Sequence, residues 1–449
     1  PSKDVALHEL SASQKMQEQY WQRTHGAGRT AMEQAVDRLI KYGLEPEMGH
    51  KEVGGVKASL DDTGHYDAVV EQLEIDWKYS TDPLQAADNE LLARIVVREV
   101  FRENGLEVTY LAKPIHGVAG SGEHTHYGLG AKMKNGKFVN LFSPKDLRNS
   151  FLSVIGYGAI MGLLKNYEAI NPFITSTTDS LKRLKPGFEA PVSIVTSLGH
   201  RPNEKGRNRT ILCGLIRDLD NPYATRFELR SPNPYTNTYT AIALIYLAAI
   251  DGIEYAVSSG KTEDELCAEL SKKAGEEANY LLKDREYRSE EDVFDDYTAE
   301  ERAELFGAPP ATVWENISGF TSHPEQVAVL AKGESFAEDL MKSFLTGVER
   351  RWVLELTTRI IPRNVKIIKG MVRFVDRETD PIDARHWEVV AVEKDYLAKD
   401  RLNSHSLFSR LADALKAKDY EKASELQMEM DEKMLVLQDL YSSYVKNLI

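Results

Sequence analysis

An α+β fold followed by a helical C-terminal extension is what the 449-residue sequence predicts. Three observations predict it. Short strand-like runs, L-E-I-D-W-K-Y and L-E-V-T-Y-L-A-K-P among them, crowd residues 44–145, and more strands run through Arg230. Segments with apolar residues at helical spacing lie before, between and after these strands. From about residue 260 the chain turns charged and helix-prone, beginning K-T-E-D-E-L-C-A-E-L-S-K-K.

Residues 1–41 read as a polar helical segment with a breaker at Gly26 and Gly28. Its second half is apolar at Met32, Val36, Leu39 and Ile40 and stops at Gly43. A core over 42–260 follows. It holds a strong helix, D-N-E-L-L-A-R-I-V-V-R-E-V-F-R-E-N-G, then a helix at about 150–168 and a proline- and threonine-rich loop at 171–190. The helix from about Thr236 to Val257 is apolar on nearly every face and is expected to be buried. Residues 261–395 form a mainly helical extension interrupted at V-V-A-V-E-K, 389–394, and 396–449 form a helical hairpin with apolar spacing suited to a partner.

Formal charge is −14, and a duplex-binding surface needs a basic footprint, so nucleic acid is not expected as a partner. No apolar run reaches the roughly 18 residues of a membrane span, and the first residues lack a secretory signal's apolar stretch. Two cysteines, far from C-x-x-C spacing, argue against a disulfide framework or a thiolate zinc site. A cytoplasmic protein without a membrane partner is the expectation.

Four clusters carry the chemistry. In G-S-G-E-H-T-H, residues 120–126, His124 and His126 share a face if the segment is a strand, and the small residues let backbone approach a ligand. The same pair is also an ordinary surface feature. Upstream, Glu52 and Glu74 occupy strand-like contexts that a hairpin through D-D-T-G-H-Y-D can align, and Glu74 interrupts the alternating Leu73, Ile75, Trp77 face. R-F-E-L-R places Arg226, Glu228 and Arg230 at period two, as a salt-bridge ladder or as a holder of phosphate oxygens. R-L-K-P-G-F-E-A-P puts Glu189 at a loop tip. Neither of the usual glycine-rich phosphate loops is present, so a bound nucleotide would rely on a metal and arginines.

In this order the stretches resemble the catalytic domain of glutamine synthetase, over about Tyr42 to Tyr255. The resemblance rests on E-P-E-M-G-H-K-E-V with E-Q-L-E-I-D, and on A-D-N with K-P-I-H-G-V-A-G-S-G-E-H-T-H. R-L-K-P-G-F-E-A-P, N-R-T, and R-F-E-L-R-S-P-N-P before an apolar helix ending D-G-I complete it. It implies an antiparallel curved sheet with flanking helices. It also implies ATP-dependent ligation of ammonia to the γ-carboxylate of glutamate through γ-glutamyl phosphate, with two Mg²⁺ or Mn²⁺ ions per site. By resemblance, Glu52 and Glu74 hold the metal facing the amino acid, and His124 and Glu228 hold the metal facing the ATP phosphates. Glu47, His126 and Arg226 match positions lining the nucleotide. Arg183 and Arg230 match arginines on the glutamate carboxylate and the phosphoryl group in transfer, and Arg209 matches a further phosphate-facing arginine. Glu189 matches the mobile-loop glutamate that shields the intermediate and takes a proton from ammonium. A homo-oligomeric ring is the family's assembly.

The pattern also departs from the family. Residues 1–43 do not resemble its N-terminal β-grasp domain, and no upstream E-x-E strand is found to give each metal one more carboxylate. Ala119 replaces an asparagine, and Gly214 an arginine for which Arg217 lies near enough to substitute. Three readings follow: the larger piece of a longer synthetase whose N-terminal part is cut off or supplied by another polypeptide, a diverged γ-glutamyl-amine ligase, or a non-catalytic binding or regulatory homologue.

Overall fold

The computed structural model describes residues 26–446 apart from 53–56, 61–65, 115–117, 188–189, 205, 207, 335 and 375–379. It divides into two compact units, 1–309 with 323–336, and 310–322 with 337–449. The division falls elsewhere than the boundaries read from sequence at 260 and 395. Backbone bonds explain part of this: Thr196 N–H donates to the Tyr287 carbonyl at 2.8 Å and Ser289 N–H to the Thr196 carbonyl at 3.0 Å, tying residues 287–289 to the core sheet.

In the first unit, helix α1 (Gly26–Lys41) is followed by strands β1 (Pro46–Lys51), β2 (Lys57–Leu60), β3 (Tyr66–Val70) and β4 (Leu73–Trp77). β1 pairs antiparallel with β4, with His50 opposite Glu74, while β2 and β3 form their own hairpin. Gly26 opens α1 with φ 60°, a left-handed conformation that suits the expected breaker, and Gly28 lies in the first turn; the part of the expected helical segment before residue 26 lies outside the described residues. Helix α2 (Pro83–Glu103) is capped by Asp82, whose carboxylate accepts from Leu84 N–H, with proline at the helix start where its missing N–H costs nothing. Leu73, Ile75 and Trp77 turn onto the core that α1 and α2 make with Met32, Leu39, Val96 and Val100. Glu74 therefore does not interrupt that face. By strand alternation it points to the other side of β4.

The second sheet has the order β5 (Thr125–Tyr127), β10 (Asn221–Leu229), β9 (Cys213–Asp218), β8 (Thr196–Ser197), antiparallel except for β8 with β9. A small hairpin, β6 (Gly130–Lys132) and β7 (Phe138–Asn140), stands beside it. L-E-V-T-Y-L-A-K-P, 106–114, is not a strand: among the described residues it pairs with no ladder, and Tyr110 instead donates its hydroxyl to the Arg94 carbonyl of α2 at 2.9 Å. Helix α3 (Val154–Ile174) runs past Pro172 into the expected loop, and α4 (Thr178–Arg183), capped by Thr177, occupies more of it.

Helix α5 (Thr238–Ser259) is buried along one face only, since Ile250 and Val257 are exposed. By length and composition it could cross a membrane, although its uninterrupted apolar run stops at Asp251. Here it packs on α3 through glycines. A Cβ on Gly162 would lie 2.1 Å from the Ala248 carbonyl oxygen, and one on Gly252 would lie 2.1 Å from that of Gly158. Only hydrogen fits at such a backbone approach. Helices α6 (Glu263–Leu270) and α7 (Ala299–Phe306), each opened by a threonine–glutamate capping box, extend this unit.

The second unit starts with α8 (Val313–Ser322); α9 (Pro324–Ala331) returns to the first. In the second unit, α10 (Glu338–Glu355) continues through a π turn at Leu356–Ile360 into α11 (Ile361–Gly370), where Pro362 contributes no N–H. Residues 389–394 do not interrupt the helices. They lie inside α12 (Pro381–Ala398), where Val390 is fully buried and its packing outweighs the weak helical preference of valine. α13 (Leu407–Ala417) and α14 (Tyr420–Val445) form a hairpin turned at Lys418, φ 59°. Buried Trp352 donates its indole N–H to Gln427 Oε1 at 2.6 Å.

Candidate active site

An open cleft of about 2800 Å³ in the first unit separates the two sheets. Its size exceeds the roughly 300–1,000 Å³ of a single small-ligand pocket. One wall is the β1–β4 ribbon. Strand alternation sends His50 and Glu52 to the same side, and the register sets Glu74 opposite His50, with Asp76 one period further. One ligand atom from each of His50, Glu52 and Glu74 lies within 4.8 Å of the others. Burial, with the charges of Glu52 and Asp76, pushes the Glu74 carboxyl up to about 8.

The other wall is β5 and β10. On β10 the residues at 226, 228 and 230 face the cleft while Phe227 and Leu229 are fully buried behind them. Glu228 Oε1 receives Arg230 Nη1 at 2.9 Å, lies 3.2 Å from His124 Nδ1 and is 3.8 Å from His126 Nε2. Burial alone would raise the Glu228 carboxyl; the neighbouring imidazoles of His124 and His126 and the Arg230 charge outweigh it and hold the group far below the usual carboxylate range. Burial lowers His124 to about 4 despite its bond to Glu228, so at neutral pH the ring is uncharged. Arg226 Nε donates to His126 Nδ1 at 2.8 Å, which places the His126 proton on Nε2, toward Glu228.

Arg183, at the end of α4, is a buried part of this wall. It donates to the Ser231 and Arg230 carbonyls at 3.1 and 3.0 Å, and Nη2 lies 3.3 Å from His124 Nε2. The G-S-G sequence explains how it fits. A Cβ on Gly122 would stand 2.6 Å from Arg183 Nη2 and 2.9 Å from His124 Nε2, and one on Gly120 would stand 2.8 Å from Arg183 Cγ. The glycines clear space for a guanidinium rather than for a ligand alone. Gln72, at the start of the opposite wall, donates to the Gly120 carbonyl at 2.9 Å and links the two.

Of the residues read from sequence, Glu47, Glu52 and Glu74 line one wall, and His124, His126, Arg226, Glu228 and Arg230 the other. Glu47 is close enough for its charge to act on Arg226. Arg183 and Arg209 also line the cleft, Arg209 as an exposed side chain. Glu189 lies outside the described residues. Arg217 cannot stand in for the arginine replaced by Gly214. Gly214 pairs with Glu228 and shares its face, whereas Arg217 is on the opposite face of β9 and donates to the Ser150 carbonyl at 3.0 Å. His50 and Asp76 were missed, although the spacings H-K-E and E-I-D carry the same period-two signal as R-F-E-L-R.

The donor sets fit divalent cations unequally. Two carboxylates and an imidazole, close together and facing a cleft, suit a divalent cation. On the β10 wall the described donors are His124 and Glu228, and Arg230 already bonds to the same Glu228 oxygen. A cation there would need further oxygen ligands.

Comparison with known proteins bears on the same region. The family model for the glutamine synthetase catalytic domain matches residues 5–284, further in both directions than the stretch read from motifs. Glutamine synthetase of Frankia alni is 34% identical over 240 residues, covering 52% of this chain and 43% of its own. That of Thermotoga maritima is 30% identical over 273 residues, covering 58% and 57%. The chain thus spans about half the length of the curated relatives it matches. A solved structure described as apo GmaS without ligand superposes with a TM-score of 0.51 at 21% identity, over 75% of this chain and 63% of that one, a likeness of fold. With more than half of its length matched, the chain belongs to the glutamine synthetase family.

Proposed function

We propose that the cleft transfers the terminal phosphoryl group of ATP to the γ-carboxylate of glutamate and passes the resulting acyl group to ammonium. The observation that carries this reading is the opposition of a carboxylate–imidazole wall at Glu52, Glu74 and His50 to a guanidinium wall at Arg183, Arg226 and Arg230. A carboxylate is a poor electrophile, and phosphorylation gives it a leaving group. That step brings a triphosphate and a second anion together, so it needs positive charge placed in advance.

Arg226 and His126 bind and orient the nucleotide phosphates, with Glu47 facing them from the opposite wall. Arg230, held by Glu228, and Arg183 face the group in transfer and the substrate carboxylate, with Arg209 at the rim. Divalent cations, when bound by Glu52 with Glu74 and by His124 with Glu228, neutralise crowded negative charge and align the phosphates. The acyl phosphate is prone to hydrolysis, and the loop carrying Glu189 excludes water and takes the ammonium proton. Further oxygen ligands for the β10 wall would come from an acidic strand in a longer form of the chain or in a separate polypeptide. A homo-oligomeric ring in the cytoplasm is part of the proposal.

The test is ADP release by the full chain with ATP, Mg²⁺, glutamate and ammonium. Release that requires both glutamate and ammonium, and is lost in Glu228→Ala, supports the reading; release indifferent to either substrate removes it. Gly214 and Ala119 favour a second reading, a ligase for a larger amine, because neither presents a polar side chain to the cleft. Faster ADP release with methylamine than with ammonium would select it.

A further inference from the structure

We infer that His50 is a third ligand, beside Glu52 and Glu74, of the cation on the β1–β4 wall, giving a site of one nitrogen and two oxygens that favours Mn²⁺ over Mg²⁺. The inference rests on the proposed role of Glu52 and Glu74 and adds to it a residue and a metal preference. Neither is implied by the sequence resemblance, which assigns this wall carboxylates alone.

The geometry comes from the ribbon itself. His50 and Glu52 are one strand period apart, Glu74 is the register partner of His50, and one ligand atom of each lies within 4.8 Å of the others. Ligands around one ion with bonds of about 2.1–2.3 Å stand roughly 3–4.5 Å apart, so small rotamer shifts bring all three to a common centre. Lys51, between the two, turns to the other face of β1, where its ammonium is 3.4 Å from Glu71.

The surroundings of the imidazole make an independent argument. Nε2 lies 3.2 Å from Asp76 Oδ2, and Nδ1 lies 3.4 Å from the Lys51 carbonyl oxygen. A histidine bound to an ion through one nitrogen keeps its proton on the other, and such histidines commonly give that proton to a carboxylate or a backbone carbonyl. Whichever nitrogen of His50 takes the ion, an acceptor stands at the other. The ring is largely enclosed, with 15% of its side chain exposed. Replacing an oxygen donor by an imidazole moves a site away from Mg²⁺, which prefers oxygen throughout, toward first-row transition ions.

The experiment is a Mn²⁺ titration of the metal-free full chain followed by pulsed electron paramagnetic resonance. A His124→Ala/His126→Ala double variant serves as background, removing both imidazoles of the opposite wall. In that background bound Mn²⁺ should still show nitrogen-14 modulation from one imidazole, lost on adding His50→Ala. Mn²⁺ affinity should fall about tenfold or more, and Mg²⁺ affinity, read by competition, less than threefold. His50→Gln, which keeps bulk and polarity, should also lose the modulation, so a folding defect in the alanine variant does not decide the result. Modulation or affinity unchanged in both His50 variants, with binding still lost in Glu52→Ala, overturns the inference and leaves the carboxylate site standing. Binding unchanged in Glu52→Ala and Glu74→Ala removes the underlying reading as well.

Discussion

The two walls of the cleft handle their charge in opposite ways. On β10, Glu228 is surrounded by Arg230, His124 and His126 and stays ionised far below the usual carboxylate range. On the β1–β4 ribbon, burial and the neighbouring Glu52 and Asp76 push Glu74 up to about 8. One wall is balanced by the chain's own cations, and the other is crowded with like charge that a cation from solution would relieve. A metal bound as proposed would therefore contribute most on the ribbon, whereas on β10 it would join a network that is already neutralised.

Arg230→Ala breaks the comparison most severely. The buried guanidinium bonds to Glu228 and faces the cleft, so its loss should lower ADP release by about 10³-fold, measured at steady state. Gly122→Ala attacks the same wall by volume, setting a methyl against Arg183 and His124. ADP release should fall by about 10–100-fold, and stability by about 1–3 kcal/mol in chemical denaturation.

The ribbon should respond in the other direction. A carboxyl whose value is raised on folding favours the protonated form in the folded state. Its contribution is full below the ordinary 4.5 and is lost as pH rises through about 8. Glu123, pushed up to about 8 by burial and by the charge of Glu90, has the same sign. Metal-free protein should therefore lose several degrees of melting temperature between pH 6 and 8.5, and Mn²⁺ at pH 8.5 should restore part of it. Glu74→Gln should stabilise the metal-free protein at pH 8.5 by about 1–2 kcal/mol, well short of the full linkage value because the side chain is partly solvated, and remove the Mn²⁺ effect. The smallest effect is expected from Gln72→Leu, which cuts the bond joining the walls. It should cost about 1 kcal/mol in denaturant melts and raise the KM for ATP more than it lowers kcat.

The β10 wall was legible in the sequence because polar residues at 226, 228 and 230 alternate with Phe227 and Leu229, and a period of two fixes one face. The same rule governs the ribbon, yet there it was applied to the wrong face for Glu74, and His50 and Asp76 were passed over. The register that brings His50 opposite Glu74 is a long-range pairing across an intervening hairpin, and local spacing does not encode it. Arg217 shows the converse: nearness in sequence placed it by the site, and strand alternation puts it on the other face. Strand-like residues 106–114 found no partner strand among the described residues, and valine-rich 389–394 became helix because a buried face rewarded it. In both, tertiary packing overrode local preference.

The central claim is that a cation and a triphosphate meet between the ribbon and the arginines. A crystal soaked with Mn²⁺ and a non-hydrolysable ATP analogue tests it most directly. The account predicts an anomalous peak about 2.0–2.4 Å from carboxylate oxygens of Glu52 and Glu74, with the phosphates lying between it and Arg226 and Arg230. Manganese bound away from these carboxylates, or a triphosphate that leaves the arginines untouched, would contradict it.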